Sequence, residues 1–472
     1  MYVRVASAAD SGPDGTAGAA GPASAQGPAG SAVKAGSAGP DGSSGAARAD
    51  GPVKTAWRDR VGVGGVGARV RGARALLARP LTPYYLLVGI TTLLLCLGLV
   101  MVLSTASVVD LAKGESAYHD FEVQLVGVLV GLPVMWVAAR SSPRLFRALA
   151  YPLLAVAIIG LALTLIPGVA REENGAARWI ALGPLTFQPS ELAKLALAVW
   201  GADLLARKEK LGMLADWRHM LMPLLPGTGL LVMLVMGEHD LGTTCILLAV
   251  FLVLLWVIGA PGRVFTALLI LMALVLVLLI VTESYRAQRL AAFFGGSTTN
   301  TSASAWQATQ GRYALSSGGI FGVGVGASTE KWGWLPESTS DFIFAIIGEE
   351  FGLLGTLCVT ALYGGLAYAG LRVARRIPDT FSRLLAVAIT AWIVAQATVN
   401  IGVVIGVFPV TGVPLPLISQ GLSSALVTMV GLGMLMSFAR RVPGASEALA
   451  ARGTVPGRRA LSWLRHETRR GT

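Results

Sequence analysis

The sequence predicts an all-α polytopic membrane protein with ten transmembrane helices, both termini cytoplasmic, and one long extracytoplasmic loop between helices 7 and 8. Three observations carry that prediction. Of the 472 residues 54% are hydrophobic and only 14% charged, more apolar surface than a soluble globule of this size can hide. Ten stretches approach the roughly 20 apolar residues needed to cross about 30 Å of hydrocarbon. Basic residues are also divided unevenly between alternate connections, as membrane topology requires.

In chain order the segments are 83–105, 120–139, 148–166, 189–206, 219–236, 241–258, 264–282, 341–368, 384–407 and 420–439. Connections assigned to the cytoplasm (140–147, 207–218, 259–263, 372–383) hold 12 Lys/Arg in 37 residues. Those assigned outside (106–119, 167–188, 237–240, 283–340, 408–419) hold 7 in 110, which fixes the orientation. Residues 1–80 are expected to be a disordered, basic cytoplasmic tail. Eleven glycines and fifteen alanines among residues 1–52 give it low complexity. It has no early apolar core for a cleavable signal peptide, so the first span is expected to set its place. Residues 81–440 form the helical domain, and 441–472 a second basic cytoplasmic tail.

The net charge of +12 sits almost wholly in the tails, with ten Lys/Arg against five Asp/Glu in residues 1–80 and eight against two in 440–472. This is a topology signal, and no nucleic-acid partner is expected. Cys96, Cys245 and Cys358 all fall inside spans and read as small packing residues, with neither a disulfide nor a zinc site expected.

Ionisable groups at membrane depth are costly and each needs a reason. In "PSELAK", Pro189 can start a helix, and Glu191 and Lys194 follow one turn apart on one face. Two readings stay open: a helix-end ion pair, or an ammonium offered to an anionic headgroup. Arg178 and Trp179 suit an interfacial position. The long outer loop carries Arg286, Arg289, Arg312 and Lys331; cations on an otherwise charge-poor loop suit a diphosphate, whereas solvation is the plainer alternative. "GGIFGVGVGAS" (Gly318 to Ser328) looks like a phosphate-cradling loop but lacks a following Gly-Lys-Ser/Thr, so a nucleotide site is not expected. "GEHDLGTT" clusters Glu238, His239 and Asp240 without a recognised metal spacing.

Asp341 opens the eighth segment in "LPESTSDFIFAIIGEEFG". Ser340 and Asp341 stand where a helix N-cap belongs. The same position, beside outward-facing cations and with Glu349 and Glu350 about two turns further along, suits a general base acting on a sugar hydroxyl.

"RWIALGPLTFQPSELAKLAL", "YRAQRL", "WQATQGRYALSSGGIFGVGVGAS", "LPESTSDFIFAIIGEEFGLLG" and "FPVTGVPLPLISQGLSS" together resemble successive signatures of the SEDS family, for shape, elongation, division and sporulation. The resemblance covers roughly residues 81–440 and is nearer the division branch than the elongation branch. It implies a ten-span peptidoglycan glycosyltransferase that polymerises lipid II at the outer face of the plasma membrane, at the division septum. The implied partners are undecaprenyl-pyrophosphate-linked glycan, a class B penicillin-binding protein, other divisome proteins and membrane lipids. The implied site is Asp341 as catalytic residue, with Trp179, Glu191, Lys194, Arg286, Arg289, Arg312 and Lys331 toward substrate or pyrophosphate. No metal ligand is assigned, although a divalent cation (Mg or Mn) is compatible with the chemistry. A lipid II flippase and a non-enzymatic divisome scaffold are the alternatives. The chain departs from the family pattern in Thr339-Ser340 where His-Thr commonly precedes the aspartate, in Thr186 where some members carry arginine, and in Gln420-Gly421-Leu422-Ser423 where a Gly-Gly pair is usual.

Overall fold

The computed structural model describes residues 81–173, 176–182, 185–282, 303–445 and 447, all within one compact unit, Ala68–Thr472. Arg286 and Arg289, the expected amino-terminal tail and nearly all of the carboxy-terminal one lie outside the described residues.

The elements are α1 (Thr82–Ala112), α2 (His119–Arg140), the six-residue α3 (Pro143–Ala148) and α4 (Ala150–Thr164), then β1 (Ala170–Glu173), β2 (Ala176–Leu182) and β3 (Leu185–Phe187). There follow α5 (Pro189–Lys210), α6 (Trp217–Leu221), α7 (Leu224–Gly237), α8 (Leu241–Ile258), α9 (Gly262–Thr282) and α10 (Ala303–Ser317). Last come α11 (Ile343–Arg376), α12 (Thr380–Val404) and α13 (Leu422–Ala439). The apolar segments fall on helices, the fifth of them on two, α6 and α7. Among the described residues seven helices are long and apolar enough to cross a membrane: α1, α2, the α6–α7 run, α8, α11, α12 and α13. The protein is therefore a multi-pass membrane protein. The third segment is the shorter α4, the described apolar part of α9 is likewise short, and α5 carries charge at both ends.

Burial divides these helices into two kinds. α2 turns Leu129, Val130, Val134 and Val137 outward, each about half exposed or more except Val134 at 42%, as hydrocarbon allows and water does not. Between Pro189 and Ala206, by contrast, α5 is buried at every position but Leu192. It packs against α4, α8 and α12, while α13 lies along α2 and α11 along α12 and α1. Small residues let backbones approach: a Cβ on Gly433 would meet the Met135 carbonyl at 2.5 Å. Cys96 and Cys358 are exposed and Cys245 half-buried, all three free, so the first two face outward instead of packing within the bundle as expected.

Three features were not anticipated. The connection before α5 folds into an antiparallel sheet, with Arg171 opposite Trp179 and Ala181 opposite Thr186. The long loop contains the helix α10. And α11 is broken at Gly352 (φ 67°, ψ −161°), where only glycine is comfortable. The carbonyls and amides freed by the break pair with the glycine-rich stretch: Val323 N–H donates to Glu349 O at 2.9 Å, Gly324 N–H to Glu350 O at 3.1 Å, and Leu353 N–H to Gly319 O at 2.9 Å. A Cβ on Gly322 would lie 2.1 Å from Glu350 O. "GGIFGVGVG" is thus a backbone graft that satisfies a broken helix.

Candidate active site

Asp341 is half-buried and stands one residue ahead of Phe342, which takes the N-cap position of α11. The main chain around it is held by the crossing between α12 and α13. Gln420 N–H donates to Thr339 O at 3.0 Å. The Ser419 hydroxyl donates to Ser340 O at 2.6 Å, and Asn400 Nδ2 to Asp341 O at 2.7 Å. Asn400 Nδ2 also reaches Val413 O at 2.8 Å. A Cβ on Gly412 would stand 3.6 Å from Asp341 Oδ2, so the carboxylate faces the same crossing that fixes its backbone. Three consecutive carbonyls anchored from one side make a rigid mount for one side chain.

Lys194 forms an ion pair with Glu191. Its ammonium donates to Glu191 Oε1 at 2.7 Å and to Gln396 Oε1 at 2.9 Å, and both charged residues are 1% exposed. Gln396 also accepts from Trp392 Nε1 at 2.9 Å and donates to Pro414 O at 3.0 Å. Gln396 and Asn400 lie one turn apart on α12. Between them they tie the crossing to Lys194 on one side and to Asp341 on the other.

Lys331 is not presented to solvent either. It is 3% exposed and pairs with Glu350 Oε1 at 3.0 Å, with further bonds to the Ser104 hydroxyl at 3.0 Å and Gly326 O at 2.8 Å. Neighbouring Glu349 accepts from Thr329 N–H at 2.8 Å and from the hydroxyls of Thr329 and Ser328. Both carboxylates after Asp341 therefore brace the glycine-rich graft from within the broken helix, and neither shares a hydrogen bond with Asp341.

Arg312 is exposed on α10, with Nε donating to Ala308 O at 3.3 Å. Its neighbour Gly311 packs on Phe342, where a Cβ would approach the ring to 2.7 Å. The Trp306 indole donates to Trp334 O at 3.0 Å and Gln307 to Pro336 O at 3.1 Å, so α10 runs beside the stretch leading to Asp341 and brings Arg312 to that end of α11.

Trp179 is half-buried on β2. The sheet is anchored at both sides: Ser423 on α13 donates to Thr186 O at 3.0 Å and accepts from Gln188 N–H at 3.1 Å, and Arg178 reaches the carbonyls of Glu238 at 3.1 Å and His239 at 2.9 Å. Glu238 is 1% exposed. Burial pushes its carboxyl up to about 8, with Asp240 adding and the Thr164 hydroxyl and Arg178 opposing. Asp240 caps α8 through Thr243 N–H at 2.9 Å. Among the described residues no three of His, Cys, Asp or Glu converge as a metal would need. A divalent ion at the mouth of α11 would find the Asp341 carboxylate and no acidic partner from Glu349 or Glu350.

Sequence reasoning missed Gln396, Asn400 and Ser419. The signal lay in their spacing, since a polar Gln and Asn four apart in an apolar helix ask for partners, but the partners are carbonyls of a distant crossing that no pattern announces.

The family model described as cell cycle protein, FtsW/RodA/SpoVE, matches residues 84–443. The probable peptidoglycan glycosyltransferase FtsW of Mycobacterium tuberculosis is 41% identical over 379 residues, covering 80% of this chain and 71% of that protein. Stage V sporulation protein E of Bacillus subtilis is 34% identical, covering 76% and 97%. Among solved structures, one on the coordination of polymerization and crosslinking by a peptidoglycan synthase complex aligns with a TM-score of 0.61 at 28% identity, covering 76% and 98%. The rod shape determining protein RodA of Thermus thermophilus aligns with a TM-score of 0.55 at 28% identity, covering 76% and 96%. With three quarters of its length matched and its motifs in order, the chain belongs to the FtsW/RodA/SpoVE family.

Proposed function

We infer that the chain is a peptidoglycan glycosyltransferase, polymerising lipid II into glycan at the outer face of the plasma membrane during septal wall synthesis. The relatives named as glycosyltransferases support the activity. The observation that carries the mechanism is the rigid mount of Asp341 at the mouth of α11, where a half-buried carboxylate stands on three anchored carbonyls. In this reading ten helices span the bilayer, both termini are cytoplasmic, and the mouth of α11 opens outward, where a lipid-tethered sugar leaves the hydrocarbon.

Asp341 accepts the proton of the acceptor's C4 hydroxyl as that oxygen attacks the anomeric carbon of the donor chain. The new C–O bond forms as the bond to undecaprenyl pyrophosphate breaks, and the pyrophosphate departs with the electron pair. Cations meet that charge: the exposed Arg312 from α10, with Arg286 and Arg289 of the same loop sequence. Lys194 and Lys331 take a different part. Both are buried and neutralised, so Lys194 supports the crossing behind Asp341 and Lys331 holds the broken α11 together. Trp179, on the sheet tied to α13, borders the acceptor side. A class B penicillin-binding protein and other divisome proteins are the partners, consistent with the peptidoglycan synthase complex among the structural neighbours.

The test is a gel assay of purified protein on fluorescent lipid II, with and without a class B partner. Asp341→Asn keeps the shape and removes the base, and is expected to give no ladder. Polymer from the variant at the wild-type level would remove Asp341 from the mechanism, and lipid II translocation in liposomes without any polymer from wild type would favour transport.

A further inference from the structure

At the opposite end of the bundle, where the connections are rich in arginine, a cavity of about 450 Å³ opens between α3, the α11–α12 turn and the end of α13. Arg144, Arg147 and Arg441 line it, over an apolar floor of Ile377 and Phe438. We propose that it binds the phosphate headgroup of an anionic phospholipid.

The charge count favours an anion. Asp379 is the acidic residue in the lining, and its oxygens are already engaged. Oδ1 takes Arg147 Nη2 at 2.8 Å, while Oδ2 takes Ser382 N–H at 3.1 Å and its hydroxyl at 2.7 Å, capping α12. Arg144 has neither hydrogen bond nor ion pair among the described residues. Arg441 donates only to the Ser437 carbonyl and hydroxyl. Two guanidinium charges thus face the cavity without a carboxylate to answer them, and guanidinium is the side chain best matched to phosphate.

The walls are preorganised. Phe146 and Phe438 meet edge to face at 5.8 Å, the Arg147 guanidinium lies 4.7 Å over the Phe381 ring, and Ser437 donates to Ser141 O at 2.7 Å. Position and floor choose the source. The cavity stands where α2, α11 and α13 end and α12 begins, at the level where lipid headgroups lie. Free phosphate would use the cations and leave the apolar floor idle, whereas a phosphodiester with its glycerol and first methylenes uses both.

The experiment is native mass spectrometry of the detergent-purified full chain with phosphatidylglycerol, phosphatidylcholine and inorganic phosphate. Wild type is expected to retain phosphatidylglycerol over phosphatidylcholine, and excess inorganic phosphate is expected not to displace it. The double variant Arg144→Gln/Arg441→Gln is expected to lose that retention about tenfold, and Arg441→Gln alone part of it, with thermal unfolding unchanged. Arg375→Gln, an exposed arginine outside the cavity, should retain wild-type binding and serves as the comparison for general surface charge. An equal loss in Arg375→Gln, unaltered retention in both cavity variants, or displacement by inorganic phosphate would each overturn the proposal.

Discussion

The bundle treats its acidic groups in two ways. Glu191 and Glu350 are buried beside lysines, at 2.7 Å from Lys194 and 3.0 Å from Lys331. Asp341 is half-buried at a helix mouth and held by its backbone, through Asn400 and Ser419. A charge inside low-dielectric surroundings persists only when it is neutralised, as these two glutamates are. Residues that perform chemistry here should therefore tolerate conservative change without loss of fold, and the paired residues should not.

The largest effect expected on folding follows from splitting a pair. Lys331→Met leaves Glu350 charged and buried, at a cost of about 3–5 kcal/mol. Thermal unfolding in detergent should show a sharp loss of folded protein, with partial recovery in Lys331→Met/Glu350→Gln. Recovery failing altogether would mean that Lys331 contributes something other than neutralisation. Lys194→Met should behave alike, rescued in part by Glu191→Gln.

Next comes the graft. Gly322 has φ 82° and its Cβ would strike Glu350 O, so Gly322→Ala should cost at least about 1–3 kcal/mol, read in the same unfolding measurement. Gly319 also has positive φ, but a Cβ there would meet nothing, so Gly319→Ala should cost less. Equal losses would contradict the graft.

Asn400→Ala is expected to act through position. Losing the bond to Asp341 O should lower kcat about tenfold with KM little changed, since Asn400 holds the backbone of Asp341. A rise in KM alone would instead assign Asn400 to binding.

A pH dependence is expected as well. Glu238 is held protonated, with its carboxyl at about 8. The folded state therefore keeps a proton that the unfolded chain releases at the ordinary carboxylate value of 4.5. The stability this proton supports is complete below about 4.5 and is lost as pH rises through about 8. Glu238→Gln, a mimic of the neutral acid, should flatten the fall in unfolding temperature across that window. An unchanged slope would mean that Glu238 is ionised.

Much of the fold was legible in the sequence because hydrocarbon imposes one demand, a long apolar helix, that composition reveals directly. Asp341 could be singled out for a related reason, as a carboxylate at the start of an apolar run. The break at Gly352 was invisible: "IIGEEFGLLG" reads as continuous helix, and the graft repairing it lies some thirty residues upstream. For Lys194 the ion pair with Glu191 was one of two open readings, while the pairing of Lys331 with Glu350 was hidden. A lysine that serves a substrate and a lysine that neutralises a buried glutamate have the same local sequence, and only the contact with Gln396 or Ser104 separates them.

Asp341 is proposed to move a proton and not merely to hold the sugar. Lipid II affinity and polymerisation rate, measured on one preparation of Asp341→Asn beside wild type, test it most directly. Affinity within about twofold of wild type and a rate lowered by about 100-fold or more are expected. Retained polymerisation, or a rate loss fully matched by lost affinity, would contradict it.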